Sequence, residues 1–175
     1  MYDHDFTLIV SGVDASAQDF EDRFFEAGCD DATLMLVNGL VAVSFTRAAP
    51  DFAQALGSAL ADVLKTGAHI ERFEPDFLVS RSEIAERAHL TKAAVTHYVT
   101  GERASGFPSP VARITSASPL WDWVEVAEWF AKQKTLPQGE LGRARISRAL
   151  NQYLANHGDI TVPMAASLIQ NAVAA

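Results

Sequence analysis

The chain has 175 residues, 49% of them apolar, and a formal charge of −8. That length allows one large domain or two small ones, with enough apolar side chains for a sizeable core. No run of about 18 apolar residues is present to span a membrane, the single Cys29 excludes an intrachain disulfide and a cysteine-held zinc, and the acidic balance argues against a general nucleic-acid binder.

The first residues, Met1-Tyr2-Asp3-His4-Asp5, lack the basic-then-apolar pattern of a secretory signal, so a cytoplasmic setting is expected. Cys29 reads as a small buried side chain rather than a nucleophile. The charge is unevenly spread. Residues 1–76 carry 14 of the 22 acids against four bases, Arg23, Arg47, Lys65 and Arg72, a balance of −10. Residues 77–175 carry eight acids and ten bases, a balance of +2. Phosphate attraction is screened within about 8 Å at physiological salt, so the charge of each segment matters more than the total.

In chain order, Phe6–Val10 predicts a strand and Gly12 with Asp14 a turn. Residues Ser16–Ala27 predict an amphipathic helix, with Ala17, Phe20, Phe24 and Ala27 on one side and Gly28 as its stop. Thr33–Val37 and Leu40–Phe45 flank Asn38-Gly39, the pair that best accepts the positive φ angles of a type I′ hairpin turn. Pro50-Asp51 opens a second helix with Phe52, Leu56, Leu60 and Val63 buried and Gly67 beyond its end. His69–Phe73 predicts a fourth strand. The order β-α-β-β-α-β predicts a ferredoxin-like sandwich over residues 1–76, with one sheet face covered by helices. ACT-type regulatory domains share this order, with Ser11-Gly12-Val13-Asp14 as the local likeness. Dimerisation through the sheet or its edge and ligand sensing are both open uses of this domain.

After Pro75 the character changes. Arg81–Thr100 predicts two short helices meeting at a steep angle, with Ala85 at the crossing. Ile84, Ala88, Leu90, Val95, Tyr98 and Val99 face a shared core. Thr91 caps the second helix and Ser80 or Ser82 the first. Lys92, Ala93, Thr96, His97 and Thr100 are left facing outward, short polar or cationic side chains suited to a major groove.

Residues 78–100 resemble the helix-turn-helix of bacterial and phage regulators. The chain over about 77–131 is similar to the MerR/AlpA/excisionase-like winged class, through Gly106-Phe107-Pro108-Ser109-Pro110-Val111, Leu120-Trp121-Asp122-Trp123 and Glu125-Val126-Ala127-Glu128-Trp129-Phe130. The resemblance implies a two-stranded wing after the second helix and phosphate contacts from Arg103 and Arg113. It departs at His89, which stands where the turn often has Gly and must be left-handed. It departs also at Thr115–Ser118, a tip without a base.

Trp121, Trp123 and Trp129 read as core packing rather than a base-stacking platform. His97 either reads a base or is a solvated helix residue. His4, His69, His89 and His157 are scattered and have no partner at metal-ligand spacing. No phosphate loop, nucleophile elbow or carboxylate pair points to catalysis, so neither a catalytic residue, a metal nor a cofactor is expected. Gly139–His157 predicts a helix with Arg143, Arg145 and Arg148 on its polar side, facing phosphate, the acidic first domain or solvent. Thr161 and Pro163 open a last helix carrying Leu168, Ile169 and Val173.

The expectation is an α+β protein: a ferredoxin-like domain (1–76), a winged helix-turn-helix (77–134) and a C-terminal extension of two helices (135–175). Its expected function is a homodimeric repressor reading double-stranded DNA. Thr91, Lys92, Thr96, His97 and Thr100 would face the groove, and Arg81, Arg103 and Arg113 the backbone. Two rivals are a protein-interaction or antitoxin-like adaptor with a degenerate helix-turn-helix, partnered through the acidic domain, and an effector-sensing regulator.

Overall fold

The computed structural model describes every residue from Met1 to Ala175. It is a mixed α+β chain that divides into two compact units, one of residues 1–75 with 149–175 and one of residues 76–148. The stretch from 135 onward, read from sequence as a single extension, is therefore shared between the units, which part at Arg148 and Ala149. No helix is long and apolar enough to cross a membrane.

In the first unit, β1 (Tyr2–Ser11), β2 (Ala32–Val37), β3 (Leu40–Ala49) and β4 (His69–Glu74) form an antiparallel sheet in the order β2-β3-β1-β4. Alternation along β1 buries His4, Phe6, Leu8 and Val10 and leaves the residues between them more exposed. Phe6 stacks on Phe45 at 5.3 Å between ring centroids, and Phe52 meets it edge-on at 5.8 Å. Aromatic pairs in such geometry add to the burial of their area. The hairpin turns on Asn38 (φ 52°) and Gly39 (φ 82°), both left-handed as a type I′ turn requires.

α2 (Phe52–Lys65) follows from its cap and its apolar period, α1 (Phe20–Ala27) from its period alone. The Asp51 carboxylate caps α2 by accepting from the Gln54 N–H, and the helix buries Phe52, Leu56, Leu60 and Val63. α1 starts four residues later than its apolar spacing predicts. Asp14 accepts from the N–H of Ser16 at 2.9 Å and from its hydroxyl at 2.6 Å, holding the chain in a turn there. α7 (Val162–Ala174) packs on α2.

One buried cation ties the α1–β2 corner to the rest of this unit. Arg47 donates to Asp31 at 2.8 and 2.9 Å, to Asp62 at 2.8 Å, to the Gly28 carbonyl at 2.7 Å and to the Ser58 hydroxyl at 3.1 Å. Burial pulls its pKa down, but the hydrogen bonds it donates to Asp31 and Asp62, with their charges, outweigh that and push it up.

The second unit holds β5 (Leu78–Val79), α3 (Arg81–Arg87), α4 (Lys92–Val99), β6 (Trp121–Asp122) and α5 (Trp123–Lys132), with the first part of α6 (Glu140–His157). β5 pairs antiparallel with β6. Val79, Ile84, Val95, Trp121, Trp123 and Phe130 form the centre of its core. The tryptophans are core residues with their indole N–H groups satisfied: Trp121 donates to the Pro108 carbonyl at 3.0 Å and Trp123 to Glu140 at 2.9 Å. Where the resemblance implies a two-stranded wing, residues 111–120 form a loop closed by a single bridge, Ala112 to Leu120. Pro110 has no N–H for the next hydrogen-bonded position, opposite Asp122, so the ladder stops.

Candidate nucleic-acid interface

Capping builds the two helices of the candidate interface. The Ser80 hydroxyl accepts from the Glu83 N–H while the Glu83 carboxylate accepts from the Ser80 N–H at 2.7 Å, a complete capping box for α3. The Thr91 hydroxyl accepts from the Ala94 N–H at 3.2 Å and starts α4. Between them His89 is left-handed, with φ 54°, and the Leu90 N–H donates to the Ala85 carbonyl at 2.7 Å. The turn therefore closes without glycine, and Ala85, 4% exposed, is small enough for α4 to pass close by.

Burial separates the two faces of α4. Ala94 and Val95 are buried, Tyr98 and Val99 partly so, while Lys92, Ala93, His97 and Thr100 are exposed and Thr96 is half-buried. Lys92, Thr96 and Thr100 recur every four residues and form one row, with His97 beside it. Several of these side chains already have work to do. The Thr91 oxygen is the helix cap, the Thr96 hydroxyl donates to the Lys92 carbonyl at 3.0 Å, and the Thr100 hydroxyl reaches the His97 carbonyl at 3.4 Å. Of the row, Lys92 alone is cationic.

His97 is neither free nor merely solvated. Its Nδ1 lies 2.6 Å from the Glu102 carboxylate just beyond the helix end. The hydrogen bond from His97 comes first among the effects that hold the Glu102 carboxyl below its ordinary pKa, with one from Thr100 next. A carboxylate therefore stands at the C-terminal end of the outward row. Sequence reasoning passed over Glu102. Its signal was an acid five residues after His97, where the chain must turn back.

The arginines are spread more widely. Arg103 lies over the Tyr98 ring, its guanidinium carbon 5.2 Å from the centroid, and its N–H donates to the His97 carbonyl, so it sits against the end of α4. Arg81 is the exposed first residue of α3. Arg113 is exposed in the 111–120 loop with a left-handed backbone, φ 52°, closing a turn in which the Ser116 N–H donates to its carbonyl. The structure thus groups Lys92, Thr96, His97, Thr100 and Arg103 along or at the end of one helix. Arg81 and Arg113 belong to other segments.

Of the three arginines on α6, Arg145 pairs with Glu128 and Arg148 with Asp122, each at 3.1 Å. These two are internal bonds of the second unit. The unit carries ten bases against eight acids, and pairing inside it leaves Arg81, Lys92, Arg103 and Arg113 among the cations turned to solvent. There is no cluster of three or more His, Cys, Asp or Glu side chains able to hold a metal. No family model, no curated protein and no solved structure matches this chain.

Proposed function

We propose that the chain is a sequence-specific binder of double-stranded DNA, a regulator whose α4 lies in the major groove. The observation that carries this reading is the pair of short capped helices around a left-handed turn, with a polar row of Lys92, Thr96, His97 and Thr100 facing out. In this reading residues 76–148 are a helix-turn-helix domain of the MerR/AlpA/excisionase-like kind with a curtailed wing at 111–120. The sheet order β2-β3-β1-β4 of the first unit is that of a ferredoxin-like sandwich serving assembly. Lys92 and Thr100 would face base edges, while Arg81, Arg103 and Arg113 would meet phosphates.

The test is a binding titration of the full chain on the DNA upstream of its own coding region, repeated over a range of salt. Sequence-dependent binding is expected, with a logarithmic salt slope that falls by about one for each of Lys92→Ala and Arg113→Ala. Glu102→Gln should tighten binding, because it removes a negative charge from the end of the row. No binding at low salt, or slopes unchanged in both cation variants, would refute the assignment.

One observation favours a second reading. The outward row has one cation and ends on a carboxylate, a pattern that also suits a face docking on a protein. In that case the Lys92→Ala variant would leave DNA untouched and weaken a protein complex instead.

A further inference from the structure

The two edges of the four-stranded sheet are treated differently. At the β4 edge, the amide of Asn151 accepts from the Phe73 N–H at 2.8 Å and donates to the Phe73 carbonyl at 2.9 Å. A side chain, itself 2% exposed, thus occupies the outward hydrogen-bonding position of that strand. Covering an edge in this way prevents further strand pairing.

The β2 edge has no such cover. Its register with β3 pairs Val37 with Leu40 across the two-residue turn, so hydrogen-bonded pairs fall at Val37, Met35 and Thr33. The N–H and C=O groups of Leu34 and Leu36 and the C=O of Ala32 therefore point away from β3 with no strand beyond them, while the Ala32 N–H donates to the Cys29 carbonyl at 3.1 Å. The strand reads Ala-Thr-Leu-Met-Leu-Val, with no charge and no proline. Leu36 is 68% exposed, and Phe25 on the neighbouring α1 is 66% exposed. Beside them lies a cleft of about 410 Å³ between α1 and β2, with Phe24, Phe25, Ala32 and Leu34 on one side and the acids Glu21, Asp22 and Asp30 at its polar rim.

We propose that the β2 edge pairs antiparallel with the β2 edge of a second copy, about a two-fold axis at Leu34, to make a continuous eight-stranded sheet. Two features of the strand select this occupant and this register. The first is shape: with Leu34 facing its counterpart, Ala32 faces Leu36 of the second copy. Residues opposite one another lie on the same sheet face, so that leucine enters the cleft beside Phe25, and the exchange is reciprocal as a two-fold interface demands. The second is charge. Asp30 and Asp31 precede β2, while Asn38 and Gly39 follow it. Antiparallel pairing sets Asp30 beside the Asn38 amide of the second copy and keeps the acid pairs at opposite ends. Parallel pairing would set Asp30 against Asp30.

The proposal stands on this edge alone and is tested without DNA. Light scattering of the full chain at tens of micromolar should give twice the 18.9 kDa chain mass. Leu36→Lys should raise the dimer dissociation constant roughly tenfold or more while leaving circular dichroism unchanged, since the side chain touches little within its own chain. Thr33→Cys with Met35→Cys should form an intermolecular disulfide on oxidation, because this register sets 33 opposite 35 at a close, non-hydrogen-bonded pair. A wild-type chain of single mass, a Leu36→Lys chain that dimerises as tightly as wild type, or a cysteine variant that stays uncrosslinked would each overturn it.

Discussion

Replacing Arg47 with Met should strongly destabilise the first unit, although the substitution keeps much of the side-chain volume. The guanidinium side chain is 9% exposed and makes five hydrogen bonds, to Asp31, Asp62, Gly28 and Ser58. Methionine fills much of its volume but leaves two carboxylates without their cation, Asp31 at 30% and Asp62 at 17% side-chain exposure. Breaking a buried pair by removing one partner costs about 3–5 kcal/mol, because the remaining charge stays desolvated. Asp62 keeps Lys65 at 2.7 Å and Asp31 keeps some water, so the lower end, about 3 kcal/mol, is expected. For a unit of this size that is a fall in melting temperature of roughly 12–24 °C. Urea denaturation read by circular dichroism measures it, and Arg47→Met combined with Asp31→Asn and Asp62→Asn should recover most of the loss. A single variant within about 1 kcal/mol of wild type would refute the claim that this cation is structurally committed.

Two further expectations concern single side chains. Burial, followed by the Asp62 charge, pushes the Cys29 thiol from its ordinary value near 9 up to about 11. The folded state then holds a proton that the unfolded chain releases, so stability is full below about pH 9 and falls as pH rises towards 11. Cys29→Ala should flatten that slope in denaturation at pH 8, 9.5 and 11, and native protein should resist iodoacetamide until it unfolds. His89→Gly should stabilise the second unit by about 0.5–1 kcal/mol, since the left-handed backbone at φ 54° suits glycine and the unfolded-chain entropy offsets part of the relief. A melting temperature unchanged or lowered in that variant would show that the imidazole contributes more than its strain.

What sequence disclosed and what it hid divides by range. Asn38-Gly39, Pro50-Asp51 before α2 and Thr91 before α4 are instructions carried within four residues, and each is read directly. The choice between Ser80 and Ser82 as the cap of α3, by contrast, needed the Glu83 contacts. His89 could be read as left-handed because the chain had to turn there whichever residue it held. The late start of α1 was not legible, because period places Ala17 on the apolar side while Asp14 competes for the backbone of Ser16. Arg47 was counted only as a base, since its partners come from the α1–β2 loop and from α2. Asn151 hid for the same reason: its carboxamide answers Phe73, 78 residues earlier. On α4, spacing identified the outward row but not its restraint, for Glu102 lies past the helix and its hold on His97 depends on how the chain leaves Val99.

The proposed function and the proposed sheet pairing answer the same physical shortage. A face whose cations are Arg81, Lys92, Arg103 and Arg113 can neutralise only a few phosphates. With each contact contributing about 0.9 to the salt slope, four would give a slope near −3.6, a modest electrostatic anchor at physiological salt. Glu102 reduces it further, and the −10 balance of residues 1–76 adds none. One copy would therefore bind weakly. Joining two copies through a neutral, apolar strand edge presents two helices to one duplex at an effective concentration that free chains do not reach. Under the two proposals together, affinity would come from two half-sites bound by linked copies rather than from charge alone. An acidic assembly unit fits such a scheme, because it disfavours the indiscriminate phosphate binding that a basic one would bring.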